Sequence, residues 1–340
     1  MMSFTYLLET KREKRLVLFF LTVTILLFFA SLLIGDTPLN IAPALQAIFQ
    51  GHHTIDQLIL QHIRLPRSLL AIIIGASLGI AGAALQGLLR NPLAEPGLIG
   101  VSASAALGAV IVFYSGLSLI FPLALPLGGI TGALLSVTML FLLAGRNSSV
   151  LTLILAGVAI SSLAGALTAL ALNLSPNPYA SLEIFYWLMG SLSNASLNHV
   201  WLILVPTLLG WWLLIRSRTA LDVLSLGEET ASTLGVNLSL LNKQLILGVA
   251  LSVGAAVSVS GGIAFIGLII PHLLRPFVAH RPSSLLIVSG LGGAALLLIA
   301  DMTVRLVPTQ QELKIGVLTA LIGAPFFLRL ILSSRREWLS

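Results

Sequence analysis

Apolar residues run along the chain in long, nearly uninterrupted stretches, with the polar residues gathered between them. The first stretch covers residues 16–34, and nine more follow at about 65–89, 97–115, 118–143, 149–171, 197–216, 244–261, 264–279, 283–303 and 313–332. A helix needs about 20 apolar residues to cross a bilayer. The pattern therefore predicts an all-α polytopic membrane protein with ten transmembrane helices, in a single domain covering residues 1–340. The first stretch is longer than a signal-peptide core of about 7–15 residues, so we expect it to remain as a helix.

Composition agrees with a membrane location. Of 340 residues, 57% are hydrophobic and 9% are charged, whereas a soluble domain carries about 25% charged residues. The formal charge of +6 is explained by basic residues that flank helices, so we expect no nucleic-acid partner. The absence of cysteine excludes disulfides and thiolate chemistry.

The basic residues predict an orientation. The chain has 18 lysines and arginines, and with both termini in the cytoplasm only Arg64, Arg67, Arg305 and Lys314 fall outside. Basic residues concentrate on the cytoplasmic side of membrane proteins, so this orientation is strongly favoured. Within the second stretch, Gly75, Gly79 and Gly82 recur at helical spacing, which predicts close contact between helix backbones.

A break in the helical pattern occurs after the second stretch, at residues 90–97. Pro92 and Pro96 forbid a continuous helix, while Asn91 and Glu95 add polar groups close to membrane depth. Two interpretations remain open here. The segment is either a rigid cytoplasmic turn or an irregular segment lining a cavity, where broken backbone is tolerated.

The longest cytoplasmic loop, residues 217–243, contains a predicted short helix. Ser225 and Glu228 have the spacing of a capping box, and Gly235 is a typical C-terminal stop. Glu228 and Glu229 suit the positive end of the helix dipole. This helix is either a solvated loop element or a docking element for a cytoplasmic partner, and it would present three apolar residues: Leu226, Ala231 and Leu234.

Three arginines on the outer side, Arg64, Arg67 and Arg305, are exceptions to the charge rule. They either extend to the membrane interface or form a docking surface, because arginine pairs with carboxylates in bidentate fashion. Asp301 precedes Arg305 by one helical turn and is a candidate partner for it.

Several kinds of chemistry have no candidates in the sequence. No phosphate-binding G-x-x-x-x-G-K-[ST] loop and no H-E-x-x-H or G-x-S-x-G motif is present. Ion-driven carriers usually need acidic or histidine residues inside their helices to relay the ion. Asp301 alone is a weak candidate for such a relay. We therefore expect no ATPase, catalytic or metal site in this chain, and an ion-coupled carrier or a membrane enzyme is disfavoured.

These motifs resemble the FecCD family, the permeases of type II ATP-binding cassette (ABC) importers for iron-siderophores, haem and cobalamin. The resemblance covers nearly the whole chain. The residues that carry it are RLPR at 64–67, LQG at 85–87, NPLAEPGLIGVS at 91–102, the loop 226–236, GLIIPH at 267–272, AD at 300–301 with Arg305, and GVLTALIGAPFF at 316–327.

The resemblance implies a bacterial inner-membrane permease that works by alternating access, with a translocation path between two permease copies, identical or paralogous. It implies two cytoplasmic ATPase subunits, which bind ATP and Mg²⁺, docked on residues 227–235. It also implies a periplasmic or lipid-anchored substrate-binding protein docked on Arg64, Arg67 and Arg305. The segment holding Asn91, Pro92, Glu95 and Pro96 would support the cytoplasmic gate, and the expected pathway residues are Ser161, Ser162 and Thr168. We expect an iron(III)-siderophore as cargo, with haem and cobalamin as alternatives.

Overall fold

The computed structural model describes residues 10–35, 54–121, 123–145, 150–175, 178–308 and 312–339, and within these ranges it contains helices and no strand. The polar breaks between the apolar stretches end one helix and start the next. In chain order the α-helices are α1 Lys11–Leu33, α2 Ile55–Leu88, α3 Val101–Tyr114, α4 Leu117–Ile120, α5 Ala124–Ala144, α6 Val150–Asn173, α7 Pro178–Leu188, α8 Leu197–Arg216, α9 Arg218–Leu224, α10 Glu228–Thr233, α11 Leu238–Ser260, α12 Ile266–Leu274, α13 Pro282–Leu306 and α14 Ile315–Leu339.

Each of the ten predicted stretches contains a helix, and the all-α membrane fold is confirmed. Within the described ranges, seven helices are long and apolar enough to cross a membrane. The apolar parts of α3, α12 and α14 are shorter. The predicted count of ten full spans is therefore not confirmed.

Two of the short helices begin after irregular backbone. A 3₁₀ turn, Pro96–Ile99, precedes α3, and Phe265 with a left-handed φ of 68° precedes α12. A Cβ on Gly267, the second residue of α12, would lie 2.9 Å from the backbone oxygen of Leu78. Since Leu78 lies well inside α2, α12 starts beside the middle of its neighbour and covers only part of the distance that α2 covers.

The centre of the fold is the contact between α2 and α13. A Cβ on Gly75 would collide with the backbone of Gly293, and one on Gly79 would collide with the backbone of Ser289. The most apolar stretches of these helices are 83% and 78% buried. Glycine permits this approach because it has no side chain to separate the backbones, so the predicted close packing of the second stretch is confirmed.

The helices at the periphery differ sharply from this centre. Only 28% of the most apolar stretch of α5, α6 and α8 is buried, and the value for α1 is 11%. In a membrane protein such surfaces face lipid or another subunit, because water would make their exposure unfavourable.

The outer end of α2 contains a local irregularity. Residues Ile59–Arg64 form a π-helical turn between two regular α-helical parts of the same helix. Outward of this turn, Gln57 is buried and Ile55 is exposed. The turn brings the predicted arginines of α2 to the end of the long buried segment.

Candidate functional site

The outer end of the bundle holds a buried network of charged side chains. The Nε of Arg67 donates to Oδ1 of Asp301 at 2.7 Å, and its Nη2 donates to the carboxylate of Glu312. The Nη2 of Arg305 donates to the other carboxylate oxygen of Asp301. Asp301 therefore joins arginines from α2 and α13, which satisfies a carboxylate that has no exposed surface.

The same network closes the end of α1. The last carbonyl groups of a helix lack partners within the helix. The Nη1 of Arg64 donates to the oxygens of Leu32 and Leu33 at 3.0 and 2.6 Å. The Nη1 of Arg305 donates to the oxygen of Ser31 at 2.9 Å. Two guanidinium groups thus satisfy carbonyls at the negative end of the helix dipole.

These contacts give the three predicted docking arginines an internal role. Arg64, Arg67 and Arg305 are 3, 7 and 9% exposed, so in this conformation their side chains do not extend freely to the interface. The expected pairing of Asp301 with Arg305 is confirmed. Docking of a binding protein on these arginines stays a prediction, and a partner carboxylate would have to compete with Asp301 or Glu312.

On the cytoplasmic side, the predicted loop helix exists as α10 but begins differently from the prediction. Gly227, with φ of 112°, is the N-cap and no side chain caps the helix. The hydroxyl of Ser225 donates instead to the backbone oxygen of Asp222 at 2.6 Å. The predicted capping box is wrong because Ser225 belongs to the end of α9, where that carbonyl is available.

The end of α10 agrees with the prediction. Gly235 has φ of 87°, and the N–H of Val236 donates to the oxygen of Ala231 at 2.9 Å, which closes the helix in the way typical of a C-terminal glycine. Ala231 was expected to be presented to a partner, but its side chain is fully buried.

The exposed side of α10 combines apolar and acidic groups. Leu226 and Leu234 are 65 and 62% exposed, and Glu228 and Glu229 are exposed between them. Docking of a cytoplasmic partner on this surface stays a prediction.

The segment between α2 and α3 lines a cavity, as one of the two open interpretations proposed. The side-chain oxygen of Asn91 accepts from the N–H of Leu93 at 2.9 Å, which holds the turn around the exposed Pro92. Glu95 and Pro96 line a cavity of about 190 Å³ together with Phe265. Its role in a cytoplasmic gate stays a prediction.

The predicted pathway residues lie on α6 in different surroundings. The hydroxyl of Ser161 donates to the oxygen of Gly97 at 3.2 Å, so it faces the 3₁₀ turn. Ser162 is exposed and Thr168 is half-buried. The exposed face around Ser162 combines the small residues Ala159 and Ala166 with the larger apolar residues Leu155 and Val158. Their place in a pathway stays a prediction.

Helix α7 and the cavity beside it were missed by the sequence analysis. The cavity has a volume of about 580 Å³, and Glu183, His199 and Lys314 are among its lining residues. The ammonium group of Lys314 lies 5.9 Å from the ring centroid of Tyr186. The concentration of aromatic residues at 179–187 was the available signal, because tyrosine and tryptophan gather at membrane interfaces.

The model of the FecCD transport family matches residues 23–333. The "Vitamin B12 import system permease protein BtuC" of Vibrio cholerae is 38% identical over 334 residues, covering 96% of this chain and 97% of that protein. The "Uncharacterized ABC transporter permease protein YvrB" of Bacillus subtilis is 41% identical over 283 residues, covering 82% of this chain and 80% of that protein. A solved structure of a candidate metal-chelate type ABC transporter, in an inward-facing conformation, matches with a TM-score of 0.82 at 34% identity, covering 94% of this chain and 99% of that one.

The match to the family model, the similarity to relatives along nearly their whole length and the shared fold all agree with the membrane-spanning helices. The chain is an inner-membrane transport component and not an enzyme, and its family implies an ATPase partner and a substrate-binding protein, usually around a permease dimer. The chain belongs to the FecCD transport family.

Proposed function

We propose that this chain is the permease subunit of an ATP-driven importer of cobalamin. The observation that carries the proposal is the similarity, along nearly the full length, to relatives named as vitamin B12 import permeases. The iron(III)-siderophore expected from the sequence alone has no comparable support. Cobalamin therefore replaces it as the proposed cargo.

The exposed face of α6 is compatible with such a cargo. The helix contains no charged residue, and its face around Ser162 is mainly apolar. Cobalamin is a large, rigid molecule whose periphery carries many neutral amides. A helix face without charges would let cobalamin pass without binding it tightly. Weak binding favours release of the cargo over its retention in the path. We infer that this face meets a second permease copy across the path.

ATP binding and hydrolysis by the partner would act on the permease through α10. In the proposed assembly each permease copy receives one cytoplasmic ATPase subunit on the surface of Leu226, Glu228, Glu229 and Leu234, and the ATPase holds ATP and Mg²⁺. Closure of the two ATPase subunits would displace α10 and change access at the segment around Asn91 and Glu95. No bond is made or broken by this chain.

On the outer side, the buried arginines would dock the binding protein. Acidic groups on that protein would be drawn toward Arg64, Arg67 and Arg305 by the excess of positive charge over Asp301 and Glu312. Arg67 is the most suitable contact, because its partner Glu312 is partly exposed and can be displaced.

The proposal is tested by transport into proteoliposomes that contain the permease, its ATPase subunit and its binding protein. We expect ATP-dependent uptake of radiolabelled cyanocobalamin, which stops when ATP is replaced by a non-hydrolysable analogue. A ferric siderophore and haemin, offered at the same concentration, serve as competing cargoes. Preferential uptake of either would overturn the cobalamin assignment, while uptake driven by a proton gradient without ATP would overturn the ATP-driven mechanism.

A metal chelate is the second candidate, because the structural neighbour is described as a metal-chelate type transporter. It is distinguished in the same assay by the ferric siderophore. The two candidates share the fold and the coupling element, so only the cargo preference separates them.

A further inference from the structure

A second polar cluster lies at the cytoplasmic end of α13. Oδ1 of Asp222 accepts from the N–H of Ser283 at 2.8 Å, and Oε1 of Glu13 accepts from the hydroxyl of Ser284 at 2.8 Å. The guanidinium of Arg281 lies 3.8 Å from a carboxylate oxygen of each. Arg281 is the N-cap residue of α13 and provides no side-chain cap. Carboxylates from two other elements therefore serve the first turn of this helix.

The two carboxylates belong to elements of different kinds. Glu13 is on α1, a long helix whose other end is held by Arg64 and Arg305. Asp222 is on α9, a helix of seven residues that leads directly into α10. Of the two, only Asp222 connects α13 to the pair of short helices α9 and α10, here called the arm, which carries the proposed ATPase surface.

Helix α10 depends on α9 for its position. Ala231 is the buried residue of α10, and α10 packs mainly against α9 and α11. In α9, by contrast, Leu221 and Leu224 are both buried in the core. Leu221 lies against α2, where a Cβ on Gly87 would be 3.3 Å from its Cδ2 atom. A displacement of α10 that moves α9 is therefore passed to α2 and α13, because α9 contacts both helices.

We propose that Asp222 is a positioning residue for energy coupling, which acts by fastening α9 to the backbone of α13. This inference rests on the proposed function, because it requires that α10 receives an ATPase subunit. The apolar contacts of Leu221 and Leu224 are not directional and allow α9 to slide or tilt. The bond from Asp222 to Ser283 is directional, so it makes α9 and α13 move together when α10 is pushed.

The test compares variants that remove one carboxylate each from the same turn of α13. Asp222→Ala breaks the link between the arm and α13, and Glu13→Ala is the matched control that breaks the link to α1. Asp222→Asn is the rescue variant, because its side-chain oxygen can still accept from Ser283. The permease assembly is reconstituted with each variant, and the ATP hydrolysed per cyanocobalamin transported is measured together with the thermal midpoint in detergent.

For Asp222→Ala we expect the ATP used per cyanocobalamin to rise about tenfold, the size expected from loss of a hydrogen bond to a charged group. Glu13→Ala should lower the thermal midpoint at least as much but leave the ratio at the wild-type value, and Asp222→Asn should restore most of the coupling. An equal change in the ratio for Asp222→Ala and Glu13→Ala, or none for either, overturns the proposal.

A readout that does not depend on the cargo separates this inference from the proposed function. The affinity of the ATPase subunit for the detergent-solubilised permease should fall about tenfold in Asp222→Ala and stay unchanged in Glu13→Ala. If the wild-type permease binds no ATPase, the proposed function fails. If the wild type binds it and Asp222→Ala binds it equally well, with an unchanged ATP ratio, only the role of Asp222 fails. Should Asp222→Ala not accumulate, Asp222→Ser removes the same carboxylate and is decided by the same measurements.

Discussion

The two ends of α13 are both held by carboxylates, but in different ways. At the outer end Asp301 belongs to the helix itself, is fully buried and is paired with Arg67 and Arg305. At the cytoplasmic end the carboxylates come from outside the helix: Glu13 is buried, but the side chains of Asp222 and Arg281 are 24 and 33% exposed. Breaking a buried pair leaves an uncompensated charge, whereas a partly exposed pair is screened by water.

The two ends of α13 are therefore held with different firmness. We call the outer network of Arg67, Asp301 and Arg305 the anchor, and the cytoplasmic cluster of Glu13, Asp222 and Arg281 the joint. The outer network joins α1, α2 and α13 so firmly that these helices should move as one body. The cytoplasmic cluster joins the same body to a short arm through contacts that water can replace. This arrangement suits an importer that is driven from the cytoplasm. The joint lies on the side where the ATPase would act, and the anchor lies at the opposite end of the same helix.

The largest effect is expected from breaking the outer anchor. Asp301→Ala leaves Arg67 and Arg305 buried without their shared partner, and it should lower the free energy of unfolding by about 3–5 kcal/mol. Unfolding with SDS in mixed micelles measures this. Glu183→Ala removes a carboxylate that is exposed and should change stability by less than about 0.5 kcal/mol. Equal effects of the two substitutions would contradict the anchor.

A smaller loss of stability is expected from a substitution at the contact between α2 and α13, between the two ends of α13. Gly79→Ala places a Cβ against the backbone oxygen of Ser289, and such overpacking should cost about 1–3 kcal/mol. Gly165 on α6 has open space around it, so Gly165→Ala should be neutral or stabilising by up to about 1 kcal/mol. The same unfolding assay checks both, and a Gly79→Ala protein as stable as the wild type would show that α2 and α13 are not in fixed contact.

At the cytoplasmic end, Glu13→Gln should cost about 1 kcal/mol. The side-chain amide retains an oxygen that can accept from Ser284, while the attraction to Arg281 is lost. Thermal unfolding in detergent at low and high salt measures the effect. A loss as large as that of Asp301→Ala would remove the distinction between the two ends.

The smallest effect is expected for Arg281→Gln. The guanidinium is 3.8 Å from each carboxylate and its side chain is 33% exposed, so after solvent screening we expect a change of less than about 0.5 kcal/mol. A change above 2 kcal/mol, on the order of a buried pair, would show that Arg281 holds the cluster together. The salt dependence of the thermal midpoint separates screening from a change in packing.

Features determined by neighbouring residues could be predicted from the sequence. The apolar stretches indicated the helices, Gly235 indicated the end of α10, and the one-turn spacing of Asp301 and Arg305 indicated their pair. The contact of Gly75 and Gly79 with another helix also followed from their spacing, because glycines on one face permit close approach. The partner helix, α13, did not follow from it.

Features that depend on distant parts of the chain could not be predicted. Arg67 and Asp301 are 234 positions apart, and Glu13 and Ser284 are 271 apart, so no local pattern links them. The local rule failed at Ser225 because this residue ends α9, and the N-cap of α10 is Gly227, two residues further on. The burial of the three outer arginines was missed for a related reason: their partners are the carbonyls of α1 and the carboxylates of Asp301 and Glu312.

The π-helical turn at Ile59–Arg64 has a consequence for the register of α2. Such a turn contains one residue more than an α-helical turn, which corresponds to a rotation of about 100° around the helix axis. Deleting one residue here would leave Arg67 and the buried segment in place but rotate the outer residues Ile55–Leu58. Gln57 would turn out of its buried position, and a different face of the extension would point outward. Insertion or deletion of one residue in this turn would therefore change which way the outermost residues face. The part of α2 that lies in the membrane would keep its orientation.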